Sequence, residues 1–327
     1  MLHAPVKVLF GTLALAGTLV AAAAAAQAYP AKAIRMIVPY PPGGATDVIG
    51  RVLAQSLTAN LGQQVVVDNR GGAGGNIGAE AVAKAAPDGY TVLMGALTSH
   101  SIMATLEKDT IRYNLEQDLA PVAVVGSVPL VWVVHPALPV KDLKQLIAYA
   151  KANPGKLTYA SSGAGAPQRM CAELFKGKIG ADMVHVPYKG SGPAMTDLVG
   201  GQVFTMCETV PAALQFIKAG RLRALAVTTP QRISMLPDVP TAAEAGLPGI
   251  EVSSMFGVMV PAGTPRAIVD RLNGEIQKVL ATPEAQEKLL QQGAYAVRTT
   301  PEQAAARVRQ EIATWAKVIR EASIKPD

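Results

Sequence analysis

Short apolar runs alternate along the chain with segments whose apolar residues recur at helical spacing. Runs of Val, Ile and Leu bounded by turn residues are typical of buried strands. We predict strands at residues 34–38, 64–67, 91–94, 122–125, 131–134, 157–160, 184–186, 222–227 and 256–260. One helix face is formed by Val48, Ile49, Val52, Leu53, Leu57 and Leu61. This alternation predicts an α/β protein with mainly parallel sheets.

Two strand-rich segments, residues 121–135 and 251–261, divide the chain into thirds. If the last third returns to pack on the first, the chain crosses twice between two domains and forms a hinge beside a cleft. We therefore predict a first domain made of residues 29–128 and 253–327, and a second domain made of residues 129–252.

The first 28 residues have the pattern of a secretory signal peptide. Lys7 precedes an apolar run at residues 8–20, and an alanine-rich stretch ends in the small-residue site Ala26-Gln27-Ala28. We predict cleavage after about Ala28, with an uncleaved anchor as the alternative. Beyond this site no apolar stretch reaches the roughly 20 residues needed to span a bilayer, so we expect an exported protein.

Composition and charge narrow the function classes. Hydrophobic residues make up 50% of the chain and aromatic residues 5%, which is typical of helices packed on parallel strands. The net charge of +6 is scattered and forms no Lys/Arg block. Such charge is typical of a solvated surface, and export conflicts with a nucleic-acid role, so we expect no nucleic-acid partner.

The first predicted strand runs into a loop built to hold an anion. Tyr40, Pro42, Gly43, Gly44 and Asp47 lie where this loop becomes a helix. The first backbone N–H groups of a helix lack partners and carry the positive end of its dipole, and glycine lets a ligand approach them. Prolines stiffen the loop. The alternative is a rigid turn that binds nothing.

Three further glycine-rich or polar loops follow predicted strands. Residues 68–78 resemble a dinucleotide fingerprint, but Ile77 stands where the last glycine is needed, so we expect a loop that shapes the cleft. Residues 159–167 offer the hydroxyls of Ser161 and Ser162 to a carboxylate. Arg169 follows, either as a carboxylate clamp or as a surface ion-pair partner.

The fourth loop, Cys207-Glu208-Thr209, follows the strand-like residues 202–206. Its glutamate is solvated, balances Arg169 or reaches a donor on a ligand, and the sequence leaves these alternatives open. Cys171 and Cys207 in an exported chain form a disulfide or remain two buried thiols, which sequence geometry also leaves open.

Catalytic and metal-binding signatures are absent from the sequence. Ala160 and Ala164 replace the glycines that a G-x-S-x-G nucleophile elbow needs around Ser162. The histidines His100 and His185 are far apart and show no metal-ligand spacing. We therefore predict no catalytic residue, no metal and no cofactor.

Several motifs together resemble one family. They are Val38-Pro39-Tyr40-Pro41-Pro42-Gly43-Gly44 with Asp47, Gly72-Ala73-Gly74-Gly75-Asn76-Ile77-Gly78, Pro87-Asp88-Gly89-Tyr90, Val186-Pro187-Tyr188-Lys189-Gly190, Leu198-Val199-Gly200-Gly201-Gln202, Leu236-Pro237-Asp238-Val239-Pro240-Thr241 and Pro261-Ala262-Gly263-Thr264-Pro265. In this order they resemble the Bug, or TctC-like, family of tripartite tricarboxylate transporter substrate-binding proteins, over nearly the whole predicted mature chain.

The resemblance implies a periplasmic protein with a two-domain, type II-like venus-flytrap fold. Two crossover strands join its domains, and a carboxylate held by loop amides and ordered water lies in the interdomain cleft. A subgroup of the family has cysteines at the positions of Cys171 and Cys207, which implies that this pair is bonded. The predicted partners are a small organic acid and the subunits of a membrane permease, and we expect a monomer.

Departures from the family pattern fall at the ligand end. Arg169-Met170 replaces a histidine-leucine pair, Glu208 replaces an aspartate, and residues 98–113 differ from the usual loop. We therefore predict a dicarboxylate, aromatic or of medium length, with one end on residues 39–47 and the other held by Ser161, Ser162 and Arg169. The predicted ligand-binding residues are Tyr40, Pro42, Gly43, Gly44, Asp47, Thr98, Ser99, Ser161, Ser162, Gly163, Arg169, Tyr188 and Glu208.

A periplasmic solute-binding receptor that delivers its ligand to a permease is the function these residues favour. The same closed state could instead dock on a sensor, so a ligand-sensing receptor for a signalling partner is the first alternative. An exported enzyme that acts on a carboxylic acid is the second.

Overall fold

The computed structural model describes residues 29–326. The predicted signal peptide at residues 1–28 and its cleavage site lie outside this range, as does residue 327. The strands are β1 Ile34–Val38, β2 Val65–Asn69, β3 Thr91–Ala96, β4 Leu119–Val134, β5 Thr158–Ser161, β6 Val184–Pro187, β7 Thr205–Thr209, β8 Arg223–Val227, β9 Ser253–Pro261 and β10 Tyr295–Ala296.

The helices come between these strands and at the end of the described chain. They are α1 Ala45–Leu61, α2 Asn76–Ala83, α3 Leu97–Leu106, α4 Leu143–Ala152, α5 Pro167–Ile179, α6 Ser191–Val199, α7 Val210–Lys218, α8 Arg266–Ala281, α9 Pro283–Gln291 and α10 Pro301–Glu321, with a 3-10 turn at Ala73–Gly75. The α/β alternation read from the sequence is confirmed.

The strands form one continuous sheet with two parts. Its order is β2-β1-β3-β9-β4-β7-β5-β6, and β8 and β10 also pair with β4. The pairs β1–β2, β1–β3, β5–β6 and β5–β7 are parallel, as predicted, whereas β9 runs antiparallel to β3 and β4. Within each parallel part, the carboxyl ends of neighbouring strands meet at one edge, where loops enter helices.

Strand β4 links the two parts of the sheet. Residues Leu119 to Pro129 pair with β9, and Leu130 to Val134 pair with β7 and β8. The sequence analysis predicted two strands here, at residues 122–125 and 131–134, on either side of Gly126 and Pro129. The structure corrects this to one strand, whose pairing with β9 shifts register near Gly126 and ends at Pro129.

Each part of the sheet has its own buried core. Ile49, Leu53 and Ile276 pack on the part that contains β1. On the other part, Trp132 stacks on Phe175 with ring centroids 4.3 Å apart. The end of α10, including Trp315, joins this second core although α10 follows the return to the first part. The boundaries at residues 128 and 252 stay a prediction.

A disulfide bond links α5 to β7. The structure bonds Cys171 to Cys207, with both side chains fully buried and their Cα atoms 6.2 Å apart. Cys207 and Glu208 lie within β7, whereas the sequence placed them in a loop after the strand. Within residues 29–326, no helix is both long and apolar enough to cross a bilayer.

Candidate functional site

A cleft of about 1060 Å³ lies between the two parts of the sheet. One side, which we call the first wall, is formed by residues 40–46, 48, 73, 74, 96, 99, 254 and 256. The opposite side, the second wall, is formed by residues 162–168, 188–191, 209, 211 and 212. Met103, Glu107, Val128 and Gln292 also line the cleft.

Five helices of the described chain begin at this cleft. The residues that precede their first turns all line it, and they are Gly44 of α1, Ala96 of α3, Ala166 of α5, Gly190 of α6 and Thr209 of α7. None of the five helix starts has a side-chain hydrogen bond that caps it. The positive ends of the five helix dipoles therefore meet at one place where an anionic ligand can bind, with first-turn amides as donors at the starts of α1, α3 and α6. Proline has no N–H, and it is the first residue of α5 and the second of α7, so these two helix starts offer fewer amides.

Asp47 supports the first wall from behind. Only 2% of its surface is exposed, and its carboxylate accepts from Gly43 N at 2.9 Å, Arg51 Nε at 2.9 Å and Asn69 Nδ2 at 2.9 Å. Burial alone would raise the pKa of Asp47, but these donors lower it below its ordinary value. Asp47 does not line the cleft among the described residues, and it fixes the loop whose amides do.

Tyr40 joins this loop to the glycine-rich turn. Its hydroxyl donates to Gly74 O at 3.1 Å, and its carbonyl accepts from Asn69 Nδ2 at 3.0 Å. A Cβ atom at Gly75 would lie 2.8 Å from the Tyr40 hydroxyl, so only glycine permits this approach. Ala73 and Gly74 line the cleft, which agrees with the predicted role of this loop in shaping it.

Thr98 and Ser161 are buried beside the walls. Thr98 Oγ1 donates to Ser253 O at 3.2 Å and accepts from Met255 N at 3.1 Å, so it ties α3 to β9. Ser161 Oγ lies 2.7 Å from His185 Nε2, across the β5–β6 pair. Neither side chain lines the cleft in the described chain, whereas their neighbours Ser99 and Ser162 do.

The structure does not place Arg169, the predicted carboxylate clamp, in the lining of the cleft. Arg169 is 7% exposed, is not a lining residue in the described chain, and donates from Nη2 to Lys325 O at 3.0 Å. Successive residues of a helix point about 100° apart, so Arg169 turns toward the C-terminal segment while Gln168 faces the cleft. No signal in the sequence distinguishes these two neighbours.

Glu208 lies behind the second wall. It is fully buried, and its Oε1 accepts from Gln168 Nε2 at 2.9 Å and from Thr209 N at 2.6 Å. Burial raises the pKa of Glu208, and these hydrogen bonds oppose the rise. The sequence left three alternatives for Glu208, and none of them was a hydrogen bond with Gln168.

Tyr188 belongs to the second wall, and Asp197 holds its hydroxyl. The hydroxyl donates to Asp197 Oδ2 at 2.8 Å. Burial, with help from Asp197, raises the pKa of Tyr188 to about 12, so the phenol stays neutral. Sequence reasoning missed Lys189 and Ser191, which line the cleft at the start of α6. Their position directly after the Val186-Pro187-Tyr188 motif is the signal that could have found them.

Some of the predicted ligand-binding residues therefore line the cleft, and others do not. Lining residues are Tyr40, Pro42, Gly43, Gly44, Ser99, Ser162, Gly163 and Tyr188. Predicted residues outside the lining, among those described, are Asp47, Thr98, Ser161, Arg169 and Glu208. Their ligand contacts stay predictions. Within residues 29–326, no group of three or more His, Cys, Asp or Glu side chains is placed to hold a metal ion.

A sequence model described as the tripartite tricarboxylate transporter family receptor, TctC, matches residues 49–324. The chain belongs to this family. Protein BugT of Bordetella pertussis is 45% identical over 306 residues, which cover 94% of each chain. The family resemblance inferred from the motifs is thus confirmed, and the chain is a solute-binding receptor of the TctC/Bug type.

Two solved structures of receptors with ligands are similar to this chain. Rpa4515 of R. palustris with adipate is 38% identical, with a TM-score of 0.80 and coverage of 91% of this chain and 100% of that one. MatC of Rhodopseudomonas palustris with bound malate is 33% identical, with a TM-score of 0.77 and coverage of 89% and 100%. The predicted two-domain periplasmic-binding-protein fold is confirmed.

Proposed function

We propose that this receptor captures an organic dicarboxylate in the cleft and delivers it to a tripartite tricarboxylate-type permease. The observation that carries the proposal is the convergence of five helix starts without side-chain caps on one cleft. Helix amides and dipoles bind anions, and carboxylates are the anions found in the similar receptors Rpa4515 and MatC.

One carboxylate is proposed to bind at the start of α1. Gly43 N is already occupied by Asp47, so the donors left at this place are the first amides of the helix, from Ala45 and Thr46. Gly43 has a φ of 87°, a conformation that favours glycine, and it turns the chain into the helix.

The second carboxylate is proposed to bind at the second wall. Ser162, Ser191 and the exposed Lys189 replace Arg169 as the groups that receive it. The lining also contains the apolar residues Val128 and Phe256, which suit a hydrocarbon or aromatic part of the ligand.

A thermal-shift and calorimetric screen of the mature protein tests the ligand class. Mono-, di- and tricarboxylates, aromatic ones included, are compared at fixed pH and salt. A ligand at 100 times its Kd stabilises a protein by about 2.7 kcal/mol. We expect stabilisation by a subset of dicarboxylates and weaker stabilisation by their monoesters. No stabilisation by any carboxylate would contradict the proposal.

An uptake experiment in the source bacterium distinguishes delivery to a permease from ligand sensing. Uptake of the labelled acid is measured in cells with and without the receptor gene. We expect uptake to fall when the gene is removed and to return with the wild-type copy. Unchanged uptake, together with a lost transcriptional response to the acid, would favour the sensor alternative.

A further inference from the structure

A buried hydrogen-bonded pair lies behind the second wall. Gln168 is 6% exposed and lines the cleft, whereas Glu208 is fully buried. Gln168 Nε2 donates to Glu208 Oε1 at 2.9 Å and lies 3.4 Å from Ser191 Oγ. A long amide side chain held at its nitrogen has little freedom left, so its oxygen has a fixed position.

The backbone of β7 decides which end of the amide faces Glu208. Glu208 Oε1 also accepts from Thr209 N at 2.6 Å, and a backbone N–H can only donate. Oε1 is therefore an acceptor, and the group of Gln168 that meets it must be the amide nitrogen. Protonation of Glu208 would place the proton on Oε2, which has no hydrogen-bond partner among the described residues, and would leave this orientation unchanged.

The carbonyl oxygen of Gln168 is left for the cleft. No group within residues 29–326 donates to Gln168 Oε1. This oxygen is also not one of the solvent-inaccessible side-chain atoms that lack a partner in the described chain. Because Gln168 lines the cleft, its unpaired oxygen is accessible from there.

We propose that Gln168 is a specificity-determining residue that accepts a hydrogen bond from the ligand, and that Glu208 positions it. The ligand would then carry a donor, such as a hydroxyl, an ammonium or an amide N–H, in addition to its carboxylates. The inference rests on the proposed function, because the carboxylate at α1 places the rest of the ligand against the second wall.

A missing donor leaves the glutamine oxygen unpaired when the cleft closes and water is excluded. Sites built to pair with a ligand hydroxyl or amine discriminate against analogues that lack it for this reason. An acid with a suitably placed donor should bind about tenfold more tightly than the same acid without it.

Calorimetric titration with matched acids tests the inference. The pairs are succinate with malate, succinate with aspartate, and benzoate with 4-hydroxybenzoate. The proteins are wild type, Gln168→Met, which keeps the length and removes the acceptor, Glu208→Leu, which removes the anchor, and Glu208→Gln, which keeps a carbonyl acceptor. Melting temperature and circular dichroism report folding.

For at least one pair, we expect the wild type to prefer the acid with the donor by about tenfold. Gln168→Met should abolish this preference, because it removes the acceptor that the plain acid leaves unpaired. Glu208→Gln should keep the preference, and Glu208→Leu should lose it. If Glu208→Leu does not fold, the other two variants still decide.

Two results overturn the inference and separate it from the proposed function. Wild type that binds plain and substituted acids equally well in every pair would overturn the role of Gln168 and leave the carboxylate receptor standing. So would a preference that survives in Gln168→Met. Wild type that binds no acid of any pair or of the wider carboxylate screen would overturn both proposals.

Discussion

The two walls of the cleft differ in the chemistry they offer. The first wall presents the backbone of the loop that enters α1, and its supporting carboxylate, Asp47, is turned inward. The second wall adds the side chains of Ser162, Gln168 and Lys189 to the helix starts of α5, α6 and α7. Backbone amides serve any carboxylate, whereas side chains differ in charge, length and donor pattern. The first wall therefore suits the anchoring of a carboxylate, and the second wall also suits selection among ligands.

The largest effect is expected from removal of the disulfide that supports the second wall. The Cys171–Cys207 bond joins α5, which carries Gln168, to β7, which carries Glu208. Cysteine-to-serine replacement of both residues should lower the free energy of unfolding by about 2–4 kcal/mol, because the bond restricts the unfolded chain. Urea denaturation with and without reductant measures it, and equal midpoints would contradict the bond's structural role.

The next prediction concerns the support of the first wall. His100 is fully buried, its ring centroid lies 6.3 Å from that of Tyr40, and burial lowers its pKa from 6.5 to about 4. Between these values the unfolded chain binds a proton that the folded chain does not. Stability from this group is therefore complete above pH 6.5 and falls by about 3 kcal/mol as the pH falls to 4.

His100→Gln should flatten this acid-side slope when unfolding is measured at several pH values. The raised pKa of buried Glu208 works in the opposite direction, since the folded protein holds its proton more tightly than the unfolded chain. Glu208→Gln is thus the matched comparison. A slope unchanged by His100→Gln would contradict the assignment.

Ala45→Pro sharpens the anchoring role of the first wall. Proline is tolerated at the first position of a helix, and Gly44, with ψ 166°, is already extended as a residue before proline requires. The change removes one N–H donor and should weaken every bound carboxylate about tenfold or more. Ala45→Gly keeps the donor and is the control. Equal affinities of the two variants would refute the anchor.

The smallest effect is expected from charge on the second wall. Lys189→Ala should weaken a dicarboxylate by about two- to fivefold, and less at high salt, because the lysine is exposed. Binding of its monoester should weaken less. Lys151→Ala, which replaces an exposed lysine outside the cleft, is the control.

Arg169→Ala should lower the free energy of unfolding and leave the ratio of diacid affinity to monoester affinity unchanged. If this affinity ratio falls in Arg169→Ala, the result would support Arg169 as a carboxylate clamp.

The contrast between the walls also explains what the sequence could predict. Glycine and proline impose local backbone geometry, so the loop at Gly43 and Gly44 was identified from the chain alone. The neighbours Gln168 and Arg169 carry no such signal, because the face of a helix that meets a cleft depends on packing against distant residues. The C-terminal segment that accepts from Arg169 at Lys325 lies 156 residues away in the sequence.

Strand prediction failed for a related reason. Strands were predicted at residues 122–125 and 131–134, and Gly126 and Pro129, which are poor strand residues, lie between them. In the structure Pro129 lies where β4 changes partners from β9 to β7 and β8, so tertiary pairing overrides local preference. The predicted α/β alternation was nevertheless correct, because the pattern repeats along the whole chain.

A crystal structure of the receptor with its tightest-binding dicarboxylate would show whether the first wall anchors one carboxylate and the second wall holds the rest of the ligand. We expect one carboxylate within about 2.7–3.2 Å of the backbone nitrogens of Ala45 or Thr46, and the other end of the ligand against the second wall. A ligand whose carboxylates contact neither the start of α1 nor the second wall would contradict it.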